Sequence, residues 1–120
     1  MLCSLYFVSL LCFQQPTCYE IKIYDQKAIF TAYNAVPEQT DSTPCTTASG
    51  YEICNQGTFP RIAASNLYRF GTVLDVEGYG RFTVEDRTAG KYSNRIDLLF
   101  ETYEEAIQFG KKELEYRVIK

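Results

Sequence analysis

Two aspartates are the residues whose type and spacing best suit chemistry. Asp86 ends one strand-like run and Asp97 lies in the next, 97 − 86 = 11 positions on, with a polar stretch between them. A loop of that size lets the chain return and set the two carboxyl groups side by side at one mouth of a barrel. Two adjacent carboxylates cannot both ionise cheaply, so one keeps its proton toward neutral pH. Cleavage of a glycosidic bond requires a protonated acid of this kind. Asp97 is the stronger candidate, because Ile96 and Leu98 flank it and desolvation raises a carboxyl pKa. Strand alternation complicates this, since sequence neighbours face away from one another. Arg87 and Arg95 pull the other way, and a structural aspartate paired with an arginine is the competing reading.

The rest of the composition narrows the chemistry. The 120 residues contain no histidine, which removes Ser-His and Cys-His nucleophile pairs and the commonest metal ligand together. The five cysteines include no Cys-x-x-Cys pair, so zinc would lack its usual ligand set. Neither a metal nor a cofactor is expected. The net charge of −3 is interspersed and forms no basic stripe, so nucleic acid is not an expected partner.

The segment Thr43-Pro44-Cys45-Thr46-Thr47-Ala48-Ser49-Gly50 is rich in hydroxyls and exposed N–H groups. These could bind sugar hydroxyls or steady a carboxylate; equally, such hydroxyls often satisfy their own loop backbone. Cys45 and Cys54 bracket the segment and are a candidate disulfide in an oxidising compartment, or two packed thiols in a reducing one. Tyr79, within Gly78-Tyr79-Gly80, is either a rim aromatic for a sugar face or a locally packed hairpin tip.

The elements that must position these groups are strands. Ten tyrosines and eight phenylalanines without tryptophan suit a pleated, half-buried surface. Glu20–Ala32 reads as one or two entering strands, and Pro37 to Gly57 as a long ordered loop. Ile62-Ala63-Ala64 is a short strand, and Thr72–Glu77 with Arg81–Asp86 makes a hairpin around Gly78-Tyr79-Gly80. Thr102 with Glu105 is a capping box that opens a helix over Tyr103–Phe109, with Gly110 to stop it. Leu114, Tyr116 and Val118 alternate with charged residues in a closing strand. About six strands and one late helix fit a small closed barrel, which hides strand edges; an open α+β sheet is the alternative.

Residues 1–19 read as a leader and 20–120 as the domain. Leu2 to Phe13 is an apolar run of signal-peptide length, too short to span a bilayer comfortably. It lacks a basic residue near Met1 and a small-residue cleavage site. Export to the envelope or beyond is the functional reading, with possible membrane association through the leader; a buried first strand is the other.

Thr31-Ala32-Tyr33, Thr47-Ala48-Ser49-Gly50, Ile62-Ala63-Ala64, Phe70-Gly71-Thr72, Val84-Glu85-Asp86-Arg87 and Arg95-Ile96-Asp97-Leu98 follow one another in order. This arrangement closely resembles the 3D (three-aspartate) domain of stationary-phase-survival and resuscitation-factor-like proteins, and is similar to the barrel of membrane-bound lytic transglycosylase A. The resemblance runs from about Ile23 to the C-terminus. It implies a mainly β fold, a six-stranded double-psi β-barrel with one short helix near the C-terminus. It also implies a lytic transglycosylase that cuts peptidoglycan glycan strands between N-acetylmuramic acid and N-acetylglucosamine, leaving a 1,6-anhydro product. Asp97 would be the catalytic acid, and Asp86 would tune it or stabilise positive charge at the anomeric carbon. Thr47, Ser49, Tyr33 and Ser65 are the matching substrate-binding candidates, and the chain is expected to act as a monomer. The family's first aspartate follows an Ile-Ala-x stretch, where this chain has Ser65 and Asn66. Asp41 is the candidate to supply a third carboxylate from another loop. The incomplete trio keeps a non-catalytic wall-binding module as the alternative, with ordinary hydrolysis by water as a third reading.

Overall fold

The structure is a computed structural model and describes residues 8–10, 20–35, 45–54 and 57–120. Strands β1 (Val8–Leu10) and β2 (Glu20–Lys22) pair antiparallel as a separate two-stranded sheet. The next six are β3 (Gln26–Tyr33), β4 (Ile62–Ser65), β5 (Val73–Val76), β6 (Gly80–Asp86), β7 (Arg95–Leu99) and β8 (Lys112–Val118). They close into a barrel in the order β3-β7-β4-β6-β5-β8. The β3–β7 and β4–β6 pairs are parallel, and the other four are antiparallel. The protein is therefore mainly β, a closed six-stranded mixed barrel with one short helix, α1 (Tyr103–Phe109).

Alternation along each strand decides what fills the barrel. Phe30, Ala63, Leu74, Val76, Phe82, Val84, Ile96, Leu98 and Tyr116 come from all six strands and pack as one buried cluster. Phe30 meets Tyr116 edge-on at 5.5 Å between ring centroids, a preferred aromatic geometry. The Tyr116 hydroxyl is satisfied by Tyr68 at 2.6 Å, as a buried phenol must be. A smaller cluster of Tyr33, Ile53, Ile62, Ala64 and Leu99 lies on the opposite, outward face.

The local signals explain the connections. Gly78 and Gly80 have φ of 83° and 89°, a region that residues with a Cβ rarely adopt, and they turn β5 into β6. The Thr102 hydroxyl accepts from Glu105 N, and the Glu105 carboxylate accepts from Thr102 N, each at 3.1 Å. This reciprocal box satisfies two otherwise orphaned donors at the start of α1. The helix buries Ala106 and Phe109, and the Phe109 ring packs against Tyr79 at 5.1 Å and Phe100 at 5.2 Å. Tyr79 is thus a packed hairpin residue. Outside the barrel wall, Asp75 is 1% exposed and pairs with Arg117 Nε at 3.0 Å and Lys22 Nζ at 3.6 Å. A charge so buried is tolerated only when partnered, and the Lys22 contact links β2 to the barrel.

Of the long loop expected over Pro37 to Gly57, the part at 45–54 is described, and it lies over the outward cluster through Ile53. Asp41, Thr43 and Pro44 lie outside the described residues.

Candidate functional site

Asp97 occupies an outward position on β7, between the inward-facing Ile96 and Leu98. Register places it opposite Thr31 of β3 on one side and Ala64 of β4 on the other. Ala64 in turn is the partner of Asp86 on β6. The four residues Thr31, Asp97, Ala64 and Asp86 thus form one row across four strands. At about 4.8 Å per strand, the two aspartate Cα atoms are roughly 10 Å apart across the small Ala64.

Asp86 reaches this row because of a register shift. Ala63 pairs with Val84, but the next residue, Ala64, pairs with Asp86, so Glu85 is bulged out. Without the bulge, strict alternation would turn Asp86 to the same side as Val84, into the barrel. Re-aiming a side chain is a characteristic use of a β-bulge. The expectation of a pair at the barrel mouth is accordingly corrected: the carboxylates sit on the outer wall, because the interior positions of β6 and β7 are taken by Val84, Ile96 and Leu98.

Asp86 accepts three hydrogen bonds: from Tyr33 Oη at 3.1 Å, from the Ala48 N–H at 3.0 Å and from the Arg87 N–H at 2.9 Å. Asp97 accepts one from Thr31 Oγ1 at 3.1 Å. Burial pushes the Asp97 carboxyl up to about 6 from 3.8, opposed by the Thr31 hydrogen bond, reinforced by the Asp86 charge and opposed again by Arg95. Desolvation is the leading cause, although the flanking Ile96 and Leu98 face the other way, into the barrel. Tyr33 is pushed well above the ordinary phenol range, first by burial and then by the charges of Asp86 and Asp97. It is a neutral donor throughout the physiological range, and it feels both carboxylates.

The loop 45–54 is fastened over this face. A disulfide joins Cys45 and Cys54. Ser49 N–H donates to the Glu85 carbonyl at 3.1 Å, and Ser49 Oγ donates to the Glu85 carboxylate at 2.7 Å. The bulged residue therefore doubles as the docking point for the loop, and docking delivers the Ala48 N–H to Asp86. Thr46 and Glu52 also bond to each other across the loop.

The substrate-binding candidates Tyr33, Thr47, Ser49 and Ser65 each make internal hydrogen bonds. Tyr33, Thr47 and Ser65 are 8%, 5% and 0% exposed. The Ser65 hydroxyl accepts from Leu67 N at 3.0 Å, so it supports the turn after β4. The Thr47 hydroxyl accepts from Tyr51 N and bonds Ser49 Oγ, both at 3.0 Å, which makes it a loop brace. Tyr33 holds Asp86. Ser49 is half-buried and spent on Glu85. Asn66 donates to the Thr88 carbonyl at 3.0 Å and to Ser93 Oγ at 3.1 Å. It ties down the 87–94 loop.

Arg87 turns aside, stacking on Phe70 at 3.7 Å and donating to the Ser65 carbonyl at 2.8 Å. Arg95 stacks on Tyr92 at 4.4 Å. Tyr51 and Tyr92 are each 38% exposed, one on each of the two loops nearest the pair. Among the described residues no group of three potential ligands could hold a metal ion, and no helix is long and apolar enough to cross a membrane.

Sequence reasoning had no role for Thr31 as the partner of Asp97, nor for the Ala48 and Arg87 N–H groups on Asp86. The only signal for Thr31 was its place in Thr31-Ala32-Tyr33, whose period of two puts Thr31 and Tyr33 on one face. In comparisons with known proteins, no family model matches the chain and no curated protein is significantly similar to it.

Proposed function

We propose that this chain is a cell-wall glycan-cleaving domain of the double-psi β-barrel type, acting as a lytic transglycosylase on the bond between N-acetylmuramic acid and N-acetylglucosamine. The observation that carries the reading is the Asp97–Ala64–Asp86 row, in which one carboxyl is pushed up to about 6 beside another held by three donors. A carboxyl near 6 keeps a usable protonated fraction close to neutral pH, which is what a general acid needs.

In this reading Asp97 gives its proton to the glycosidic oxygen as the bond from the anomeric carbon breaks. The resulting carboxylate then takes the proton of the muramic C6 hydroxyl as that oxygen closes on the anomeric carbon. The acid is regenerated, no water is consumed, and the product carries a 1,6-anhydro ring. Asp86 stabilises the positive charge that develops on the sugar, while Tyr33 and Ala48 fix its position. Tyr51 and Tyr92 offer ring faces for neighbouring sugars. Export to the cell envelope, where the substrate lies, accords with the Cys45–Cys54 disulfide.

The test is incubation of the full chain with purified sacculi, followed by mass spectrometry of the soluble fragments. Anhydro-muramic products that vanish in Asp97→Asn support the proposal. Their absence from wild type, or their persistence in Asp97→Asn, refutes it, and reducing-end products would identify hydrolysis. A non-catalytic glycan-binding module is the second reading, favoured by the buried, hydrogen-bonded Ser65 where the family carries an acid. Sacculus binding that survives Asp86→Asn with Asp97→Asn, with no fragments released, would select it.

A further inference from the structure

A cleft of about 510 Å³ opens where β4 begins, β7 ends, β5 turns into β6 and α1 starts. It lies within the size range of small-ligand sites. Its lining is of two kinds: the rings of Phe59, Tyr79 and Phe100, and the charged side chains of Arg61, Glu101 and Glu105. Leu99 also lines it and belongs to the outward cluster with Tyr33 and Ala64. On β7, Leu99 is two residues past Asp97 on the same face, about 7 Å along the strand. The cleft is therefore a neighbour of the carboxylate pair on the outer wall.

Arg61 is held in place in a way that exposed arginines seldom are. Its guanidinium stacks over Phe82 at 4.2 Å, donates from Nε to the Arg81 carbonyl at 3.0 Å, and donates from Nη2 to the Tyr79 carbonyl. These contacts occupy one edge and one face and leave Nη1 for an anion, with little further entropy to lose. Opposite in charge, Glu101 is exposed, and Glu105 uses only Oε1 in the helix cap. The cleft thus presents a fixed cation, two carboxylates and apolar rings.

We propose that this cleft binds the zwitterionic end of a short peptide, with its carboxylate on Arg61 and a side-chain ammonium between Glu101 and Glu105. Resting on the glycan reading above, the peptide is the stem carried by the muramic sugar in the site. An extended chain covers at most about 3.5 Å per residue, so two to three stem residues span the distance from Asp97 to the cleft.

The experiment is a ¹⁵N–¹H NMR titration of the full chain with an N-acetylated tripeptide ending in lysine, with free C-terminal carboxylate and free ε-ammonium. Shifts in the amides of Arg61, Tyr79, Glu101 and Glu105 are expected, with affinity falling at least tenfold when the carboxylate is amidated and again when the ε-amine is acetylated. These ligand changes require no variant to fold. Arg61→Ala should abolish the shifts at Glu101, while Arg61→Lys should retain weakened binding. Unmoved amides in the cleft, or equal affinity for all three peptides, overturn the proposal. Binding should persist in Asp97→Asn, so loss of peptide recognition and loss of glycan cleavage are separately visible.

Discussion

Replacing Asp97 with asparagine should abolish the proposed glycan cleavage and yet make the protein more stable at neutral pH. The Asp97 carboxyl titrates near 6 in the folded chain against 3.8 as an ordinary aspartate, mainly because burial opposes its charge. A folded-state pKa raised in this way means that the native state holds a proton the unfolded chain has released. Stability from this residue is therefore fully present below about pH 4 and is lost as pH rises through 6. A difference of roughly two pH units corresponds to about 3 kcal/mol at most, and partial solvent contact reduces this to roughly 1–3 kcal/mol. Asparagine keeps an oxygen for Thr31 Oγ1 and carries no charge, so it should recover that amount at pH 8 and almost none at pH 4. Urea unfolding of both proteins under non-reducing conditions at these two pH values measures the difference. Equal stability of the two proteins at pH 8, or a variant less stable there, would refute the view that burial of this carboxyl is a cost retained for chemistry.

Three other substitutions address the parts around it. Tyr33→Phe removes one of three donors to Asp86 and should cost about 1–2 kcal/mol in urea unfolding, with cleavage slowed at least tenfold. Replacing Cys45 and Cys54 with serine opens a ring whose closure is worth about 2.5 kcal/mol in the chain-entropy account. It should also raise hydrogen exchange at the Ala48 amide, which the closed loop presents to Asp86. Thr102→Ala removes the reciprocal cap of α1 and should lower stability by about 1 kcal/mol in urea unfolding.

What could be read from the residues was local. The Thr102/Glu105 cap, the helix over Tyr103–Phe109 and the glycine turn at 78–80 depend on neighbours a few positions apart, and these elements appear where their sequence signals lie. The choice of Asp86 and Asp97 also rested on near spacing, and the structure brings them into one row. Their face was not legible, because it depends on the bulge at Glu85 and on pairing with a strand more than 20 residues away. Tyr33 reaches Asp86 across 53 positions, and no periodicity encodes such a contact. The internal bonds of Ser65 and Thr47 are hidden from the sequence for a related reason. A hydroxyl in a polar stretch looks available until the fold shows which backbone groups it must satisfy. The Arg61 cleft, assembled from three separate chain segments, had no sequence signal.

Asp97 and Asp86 are read as one electrostatic site in which Asp97 keeps its proton toward neutrality. A ¹³C-detected NMR titration of the aspartate side-chain carboxyls in the intact chain tests this directly, comparing wild type with Asp86→Asn. The expected midpoint for Asp97 is about 6, falling when the Asp86 charge is removed. A midpoint near 4, or one that ignores Asp86, would contradict it.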